Sequence, residues 1–210
     1  MNEEPTATSP ASISDAHVIA ETPRPGFESV HAADAALPPR RAGVWLLRRS
    51  PLHWISLGMG SGLSPFAPGT VGTLWAWAAF LLLDPMLSDA LGEAGWGWVL
   101  LVGFFVGWWA CTRTAQAMRV GDPGAVVWDE VLAFWLILWL VTPSSLVAQL
   151  AAFLIFRLFD AAKPGPVGWA DRRYKGQPGT LPGWRQGFGI IFDDLVAALC
   201  TLLVMALWHA

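Results

Sequence analysis

The sequence predicts an all-α, multi-spanning helical membrane protein of about five apolar helices after a disordered N-terminal tail. Three observations carry that expectation. Of 210 residues, 54% are hydrophobic and 14% charged, with 14 Trp, a balance suited to a chain solvated by lipid. Charge is confined to short islands between apolar runs at residues 66–83, 96–112, 126–141, 146–159 and 189–208. Residues 1–42, by contrast, scatter Pro5, Pro10, Pro23, Pro25, Pro38 and Pro39 among Ser, Ala and acids without any apolar run, so they cannot bury enough surface to fold. The expected organisation is a tail over 1–42 and one helical membrane domain over 43–210. The tail also lacks the apolar core of a cleavable secretory signal.

Each apolar run is taken as one helix. Several are shorter than the ~20 residues an upright span needs, so some are expected to be tilted, half-inserted or re-entrant, with a soluble helical core as the alternative. The basic residues set the topology. Arg40, Arg41, Arg48 and Arg49 precede the first run, and Arg113 and Arg119 follow the second. Lys163, Arg172, Arg173, Lys175 and Arg185 follow the fourth. The alternate connections hold Asp84, Asp89 and Glu93 without a Lys or Arg (residues 84–95), or no charge at all (142–145). A cytoplasmic N-terminus with five crossings puts these basic islands inside.

Composition also excludes chemistries. A formal net charge of -3 and no broad basic stripe argue against nucleic acid as a partner. Cys111 and Cys200 sit in separate apolar runs and read as buried thiols. His17, His31, His53 and His209 are too few and too scattered for a phosphohistidine enzyme or a His-rich zinc site. Neither cysteine has Arg six residues on, and no Asp-x-Asp-x-Thr or Asp-Gly-x-x-Ala-Arg pattern occurs.

Four segments depart from both lipid-facing helix and ordinary loop, and the topology gathers them at the cytoplasmic surface. In Gly58-Met59-Gly60-Ser61-Gly62-Leu63-Ser64-Pro65-Phe66-Ala67-Pro68-Gly69-Thr70 the prolines oppose a continuous helix. Its glycine N–H groups and hydroxyls suit an anionic head group. Gly60, Ser61, Gly62, Ser64, Pro68, Gly69 and Thr70 are its candidate substrate contacts. The competing reading is close helix packing, because Gly58/Gly62 and Gly103/Gly107 share small-xxx-small spacing.

In Asp122-Pro123-Gly124-Ala125-Val126-Val127-Trp128-Asp129-Glu130, two adjacent carboxylates stand at the mouth of an apolar helix. They repel and are costly to desolvate, so they call for a cation or shared protons; acids favoured by a helix N-terminus are the alternative. In Phe156-Arg157-Leu158-Phe159-Asp160-Ala161-Ala162-Lys163-Pro164, a spacing of three places Arg157, Asp160 and Lys163 near one face before Pro164 ends the helix. That face offers two cations to a phosphate and a carboxylate to a metal, or forms a snorkelling internal salt bridge. The fourth, Gly187-Phe188-Gly189-Ile190-Ile191-Phe192-Asp193-Asp194, sets a second acid pair at the start of the last run. Hard oxygen donors of this kind suit Mg²⁺.

Together these segments resemble the phosphatidylglycerophosphatase A family over essentially residues 50–205. That family is typified by Gly-x-Gly-Ser-Gly-x-x-Pro-x-x-Pro-Gly-Thr, Asp-Pro-x-x-Val-Val-x-Asp-Glu, Phe-Arg-x-Phe-Asp-x-x-Lys-Pro-x-Pro and a closing Asp-Asp, all present here in order. The resemblance implies Mg²⁺-dependent hydrolysis of phosphatidylglycerophosphate to phosphatidylglycerol, acting on lipid in the bacterial inner membrane. On that reading Asp129, Glu130, Asp160, Asp193 and Asp194 hold the metal, and Arg157 and Lys163 stabilise the transferring phosphoryl group. Three features depart from the pattern: Ala133 where Gly is usual, Gln186 for the first Gly of Gly-Gly-x-Gly, and a longer loop at 174–184. The alternative from another class is an ion-coupled transporter with carboxylates at helix ends. It lacks charged residues midway along the expected spans and any evident inverted repeat.

Overall fold

The computed structural model describes residues 38–176 and 180–209. The expected tail therefore lies outside the described residues up to residue 37. Beyond that point the chain is already anchored, since the Arg40 N–H donates to Met118 O (2.8 Å) and the Arg40 guanidinium lies 3.9 Å over the Trp45 ring.

Every regular element among the described residues is helical, in the order α1 (Val44–Arg49), α2 (Pro51–Ser56), a 3-10 segment (Gly58–Leu63), α3 (Pro68–Leu91), a 3-10 turn (Gly92–Ala94), α4 (Gly95–Met118), α5 (Trp128–Val141), α6 (Leu146–Ala162), α7 (Pro166–Tyr174) and α8 (Trp184–His209). Proline starts α2, α3 and α7, where its missing N–H costs nothing. Ser145 caps α6 by accepting from Ala148 N (3.2 Å). Lys163 closes α6 in the left-handed region (φ 46°) immediately before Pro164.

The expectation of five spans is corrected to three. Among the described residues, only α3, α4 and α8 are long and apolar enough to cross a membrane. At ~1.5 Å per residue, 24 residues reach about 36 Å, whereas the 14 of α5 reach about 21 Å and the 17 of α6 about 26 Å, short of a ~30 Å hydrocarbon core. The apolar run of α5 has another cause. It packs against α3, α4, α6 and α8, so Val131, Leu132, Ala133, Phe134, Ile137 and Leu138 are buried around its whole circumference. Helix α5 and helix α6 form a hairpin whose two free ends carry the second and third segments. The acidic connection expected at 84–95 is also shorter, because α3 continues through Pro85 to Leu91 and Asp84 accepts from Trp96 Nε1 on α4 (2.9 Å).

The abundant tryptophans act as pins between helices. Trp77 donates to Gln149 Oε1 (2.7 Å), Trp128 to Gly103 O (3.0 Å), Trp135 to Ala76 O (2.8 Å) and Trp108 to Trp184 O (2.7 Å). Each indole buries a large apolar face and satisfies its one donor on a neighbouring element. In lipid, where apolar burial alone does not drive helices together, such bonds hold the bundle.

Candidate active site

The four segments meet at one end of the bundle. Asp129 and Glu130 occupy the first turn of α5, where unpaired N–H groups favour negative charge. The entry to that turn is clamped. Val127 N–H donates to Ser56 O (2.9 Å), while Gly62 abuts Ala125 O and a Cβ on Gly72 would meet Val127 Cβ at 2.7 Å. The Trp128 indole lies across Gly103 and Gly107 of α4, so both small-residue spacings serve packing against the approach to the acids.

Helix α8 starts at Trp184, before its apolar run, and carries Asp193 and Asp194 in its third turn rather than at its entrance. Gln186 explains the early start: its Oε1 accepts from Gly183 N–H (2.8 Å), half of a capping box that Gly at this position cannot make. Gly187 and Gly189 then admit Thr112 and the Tyr174 side chain into close contact.

Consecutive helical residues point about 100° apart, and the acid pair divides accordingly. Asp194 joins Asp129 and Glu130, with one carboxylate oxygen from each within 4.8 Å of the others. Asp129 Oδ1, Glu130 Oε2 and Asp194 Oδ2 are buried and lack a hydrogen-bond partner among the described residues. Three converging carboxylates, each with a buried and unpartnered oxygen, are a group that could hold a cation, by electrostatics and by unmet bonding. The donors are all oxygen, which fits Mg²⁺ or Ca²⁺ rather than zinc.

Asp160 stands at the edge of this trio, against Asp194, and accepts from Arg157 Nη1 (2.6 Å). The same guanidinium nitrogen lies 3.7 Å from Glu130 Oε1 and 3.5 Å from Thr73 Oγ1. Asp193 is drawn away from the convergence: its Oδ2 accepts from Lys163 Nζ (2.5 Å). Lys163 also donates to Asp171 Oδ1 (2.7 Å), and Lys175 pairs with Asp171 Oδ2 (2.6 Å). Burial raises the cost of charge on Asp171, but hydrogen bonds from Lys163 and Lys175 outweigh it and hold the carboxyl below its ordinary range. Burial likewise opposes the Lys163 charge, and its bonds to Asp171 and Asp193 outweigh that, keeping the ammonium protonated. The two cations expected to act together on one face thus serve different acids.

The glycine-rich segment is also divided. Ser61 Oγ donates to Gly58 O (2.8 Å) and Ser64 Oγ to Phe66 O (2.8 Å), so both hydroxyls close their own turns. Gly60 supplies a turn at φ 99°, and Gly62 packs on Ala125. Pro68, Gly69 and Thr70 form the first turn of α3, where Gly69 lies against Glu130 and Arg157. Thr73 follows one turn later and donates back to Gly69 O (2.8 Å).

Further residues, of which Asp171 was not expected from the sequence, complete the surroundings. Thr73 and Asp171 touch the two cations, and a cavity of about 230 Å³ opens beside Asp193, lined in part by Asp122, Asp171, Lys175 and Gln186. The Asp171/Lys175 spacing of four was a readable signal. The bridge from Lys163 across the Pro164 turn to Asp171 was not.

Comparison with known proteins identifies a family. The family model described as phosphatidylglycerophosphatase A matches residues 54–209. A phosphatidylglycerophosphatase A of Escherichia coli is 37% identical over 150 residues, covering 71% of this chain and 78% of the relative. The Haemophilus influenzae protein of the same name is 34% identical over 156 residues, 74% and 87% respectively. A Bacteroides thetaiotaomicron relative with the provisional name phosphatidylinositol-3-phosphatase is 32% identical over 157 residues, 72% and 89%. No solved structure matches.

Proposed function

This chain belongs to the phosphatidylglycerophosphatase A family and is a phosphatase, and from that premise we propose that it hydrolyses phosphatidylglycerophosphate to phosphatidylglycerol and phosphate, with Mg²⁺ held by Asp129, Glu130 and Asp194. The observation that carries the reading is the convergence of three buried, unsatisfied carboxylate oxygens beside a fixed guanidinium. The ion-coupled transporter gains nothing from the relatives, which bear phosphatase names.

A bound divalent cation supplies charge neutralisation at phosphate oxygens and activation of water. The chain's own residues do the rest. Arg157, held by Asp160, presents a planar fork to the phosphoryl oxygens. Gly69, without a Cβ, lets Glu130 and Arg157 pack directly against the first turn of α3 and so helps to fix both groups. Lys163, tied between Asp171 and Asp193, fixes the end of α6 to α7 and α8 and adds positive potential next to the trio. The acyl chains remain in the bilayer, beside the exposed apolar faces of the three long helices. A bacterial inner-membrane location with the site at the cytoplasmic surface is part of the same proposal and follows from the basic islands.

The test is phosphate release by purified protein from phosphatidylglycerophosphate in mixed micelles, with Mg²⁺ or excess chelator, and with phosphatidylinositol 3-phosphate as a competing substrate. Release from phosphatidylglycerophosphate that requires Mg²⁺ supports the proposal. Full activity in chelator removes the metal, and preference for the inositol lipid replaces the substrate.

A further inference from the structure

Away from the acid trio, helices α2 and α4 enclose a second polar recess of about 340 Å³, lined by Arg49, Ser50, His53, Arg113 and Gln116. No carboxylate lines it. Arg49 and Arg113 are exposed and have no ion-pair partner among the described residues, in contrast to Arg157, Lys163 and Lys175. His53 is buried at 4% exposure, with Nδ1 fixed 2.7 Å from Thr114 Oγ1. Burial and then the charges of Arg49 and Arg113 push the His53 pKa down, so all three groups bear on one space.

This recess is separate from the candidate active site. Cys111 lies on the side of α4 whose electrostatic neighbours are Glu130 and Asp122, and Arg113, two residues on, is rotated by about 200°.

An apolar groove of about 530 Å³ runs along α4 at Trp98, Val102 and Val106, bordered by Ile55 of α2, Met59 of the 3-10 segment and Trp128 and Trp135 of α5. Val102, Val106 and Arg113 share one face of α4, and Arg113 stands about 11 Å beyond Val106 along the axis. Trp109, 45% exposed, falls on that face between them. The order apolar, aromatic, cationic along one helix face is the order of hydrocarbon, interface and phosphate through one leaflet.

We propose that this face is a binding site for one anionic phospholipid, its phosphate between Arg49 and Arg113 and an acyl chain in the Ile55–Val106 groove. The unpaired guanidiniums select the anionic head, and the groove, continuous with the α4 span, commits the occupant to a lipid rather than to a soluble anion.

The experiment measures retention of phosphatidylserine by the purified full-length protein, using native mass spectrometry, against phosphatidylcholine and inorganic phosphate. Phosphatidylserine is an anionic phosphodiester without the terminal phosphate of the proposed substrate, so the result is independent of the hydrolytic reading. The protein should retain one phosphatidylserine in preference to phosphatidylcholine. Arg49→Gln with Arg113→Gln should weaken that retention about thirtyfold, at roughly fivefold for each basic group near a lipid phosphate. Both arginines are exposed and unpaired, so the variant should fold, which an unchanged melting temperature confirms. Arg41→Gln with Arg48→Gln removes the same charge outside the recess and should leave retention unchanged. Met59→Glu should weaken it through the groove. Equal loss in the Arg41/Arg48 control, no preference over phosphatidylcholine, or inorganic phosphate alone reproducing the Arg49/Arg113-dependent binding would each overturn the proposal.

Discussion

Asp193 and Asp194 are neighbours in the chain yet serve opposite tasks: Asp193 accepts from Lys163 at 2.5 Å, while Asp194 completes the carboxylate trio with a buried, unpartnered Oδ2. Asp194→Asn should therefore lower phosphate release about a hundredfold or more, the scale of losing one focused electrostatic contact of ~3 kcal/mol. It should also abolish the rise in melting temperature that Mg²⁺ gives the unmodified protein, a rise worth about 2.7 kcal/mol at a hundred times the dissociation constant. Asp193→Asn should keep the Mg²⁺-dependent shift and lower the melting temperature in its absence. Thermal melts of both variants with and without Mg²⁺ check the division, and loss of the shift in both would place Asp193 among the ligands.

Gly69 tests the close packing of α3 on the guanidinium. A methyl group there would meet Arg157 Nη2 at 3.1 Å and Nη1 at 3.2 Å, as well as Glu130 Oε1. Gly69→Ala should therefore displace Arg157 or Glu130 and lower kcat at least tenfold, the rate equivalent of about 1.4 kcal/mol. The fold should persist, since residue 69 lies in the half-buried first turn of α3, at its end rather than in its packed middle. Wild-type kinetics in Gly69→Ala would show that the positions of Arg157 and Glu130 do not depend on this close approach.

The Asp171 carboxyl supplies a pH signature. Its folded-state pKa is depressed, so its contribution to stability is present above the unfolded value near 3.9 and is lost as pH falls through the lower folded value. Asp171→Asn should thus destabilise the protein at neutral pH and flatten the decline of melting temperature below about pH 4. Identical acid limbs for variant and parent would contradict the assignment.

The α5–α6 hairpin predicts a labelling pattern. A 14-residue α5 is about 9 Å too short to cross a ~30 Å core, so Cys at Ser144 should resist a membrane-impermeant thiol reagent added from outside. Cys at Asp89, near the far end of α3, should react. Both are placed in a background lacking Cys111 and Cys200. Equal labelling at Ser144 would restore five crossings.

Much of the site was legible in the sequence because its chemistry is written as adjacent acids and as Arg157, Asp160 and Lys163 at helical spacing before a proline. The structure brings all of these to one end of the bundle. Their division was not legible, because it depends on the rotation of α8 and on Asp171, which reaches Lys163 only after the chain turns at Pro164. The all-helical class was legible from composition, but the number of crossings was not. Apolar residues on every side of a helix report burial alike in lipid and in protein, and only the three-dimensional neighbours of α5 distinguish them.

The position of Asp194 on the last helix also bears on biogenesis. Asp129 and Glu130 leave the ribosome well before it, and the trio lacks its third member until α8 has been synthesised and has packed against α5. On the proposed mechanism, a nascent chain already threaded among phospholipids would thus be inert towards them. Connectivity would then make latency the default state of every unfinished copy, with activity beginning only when assembly ends.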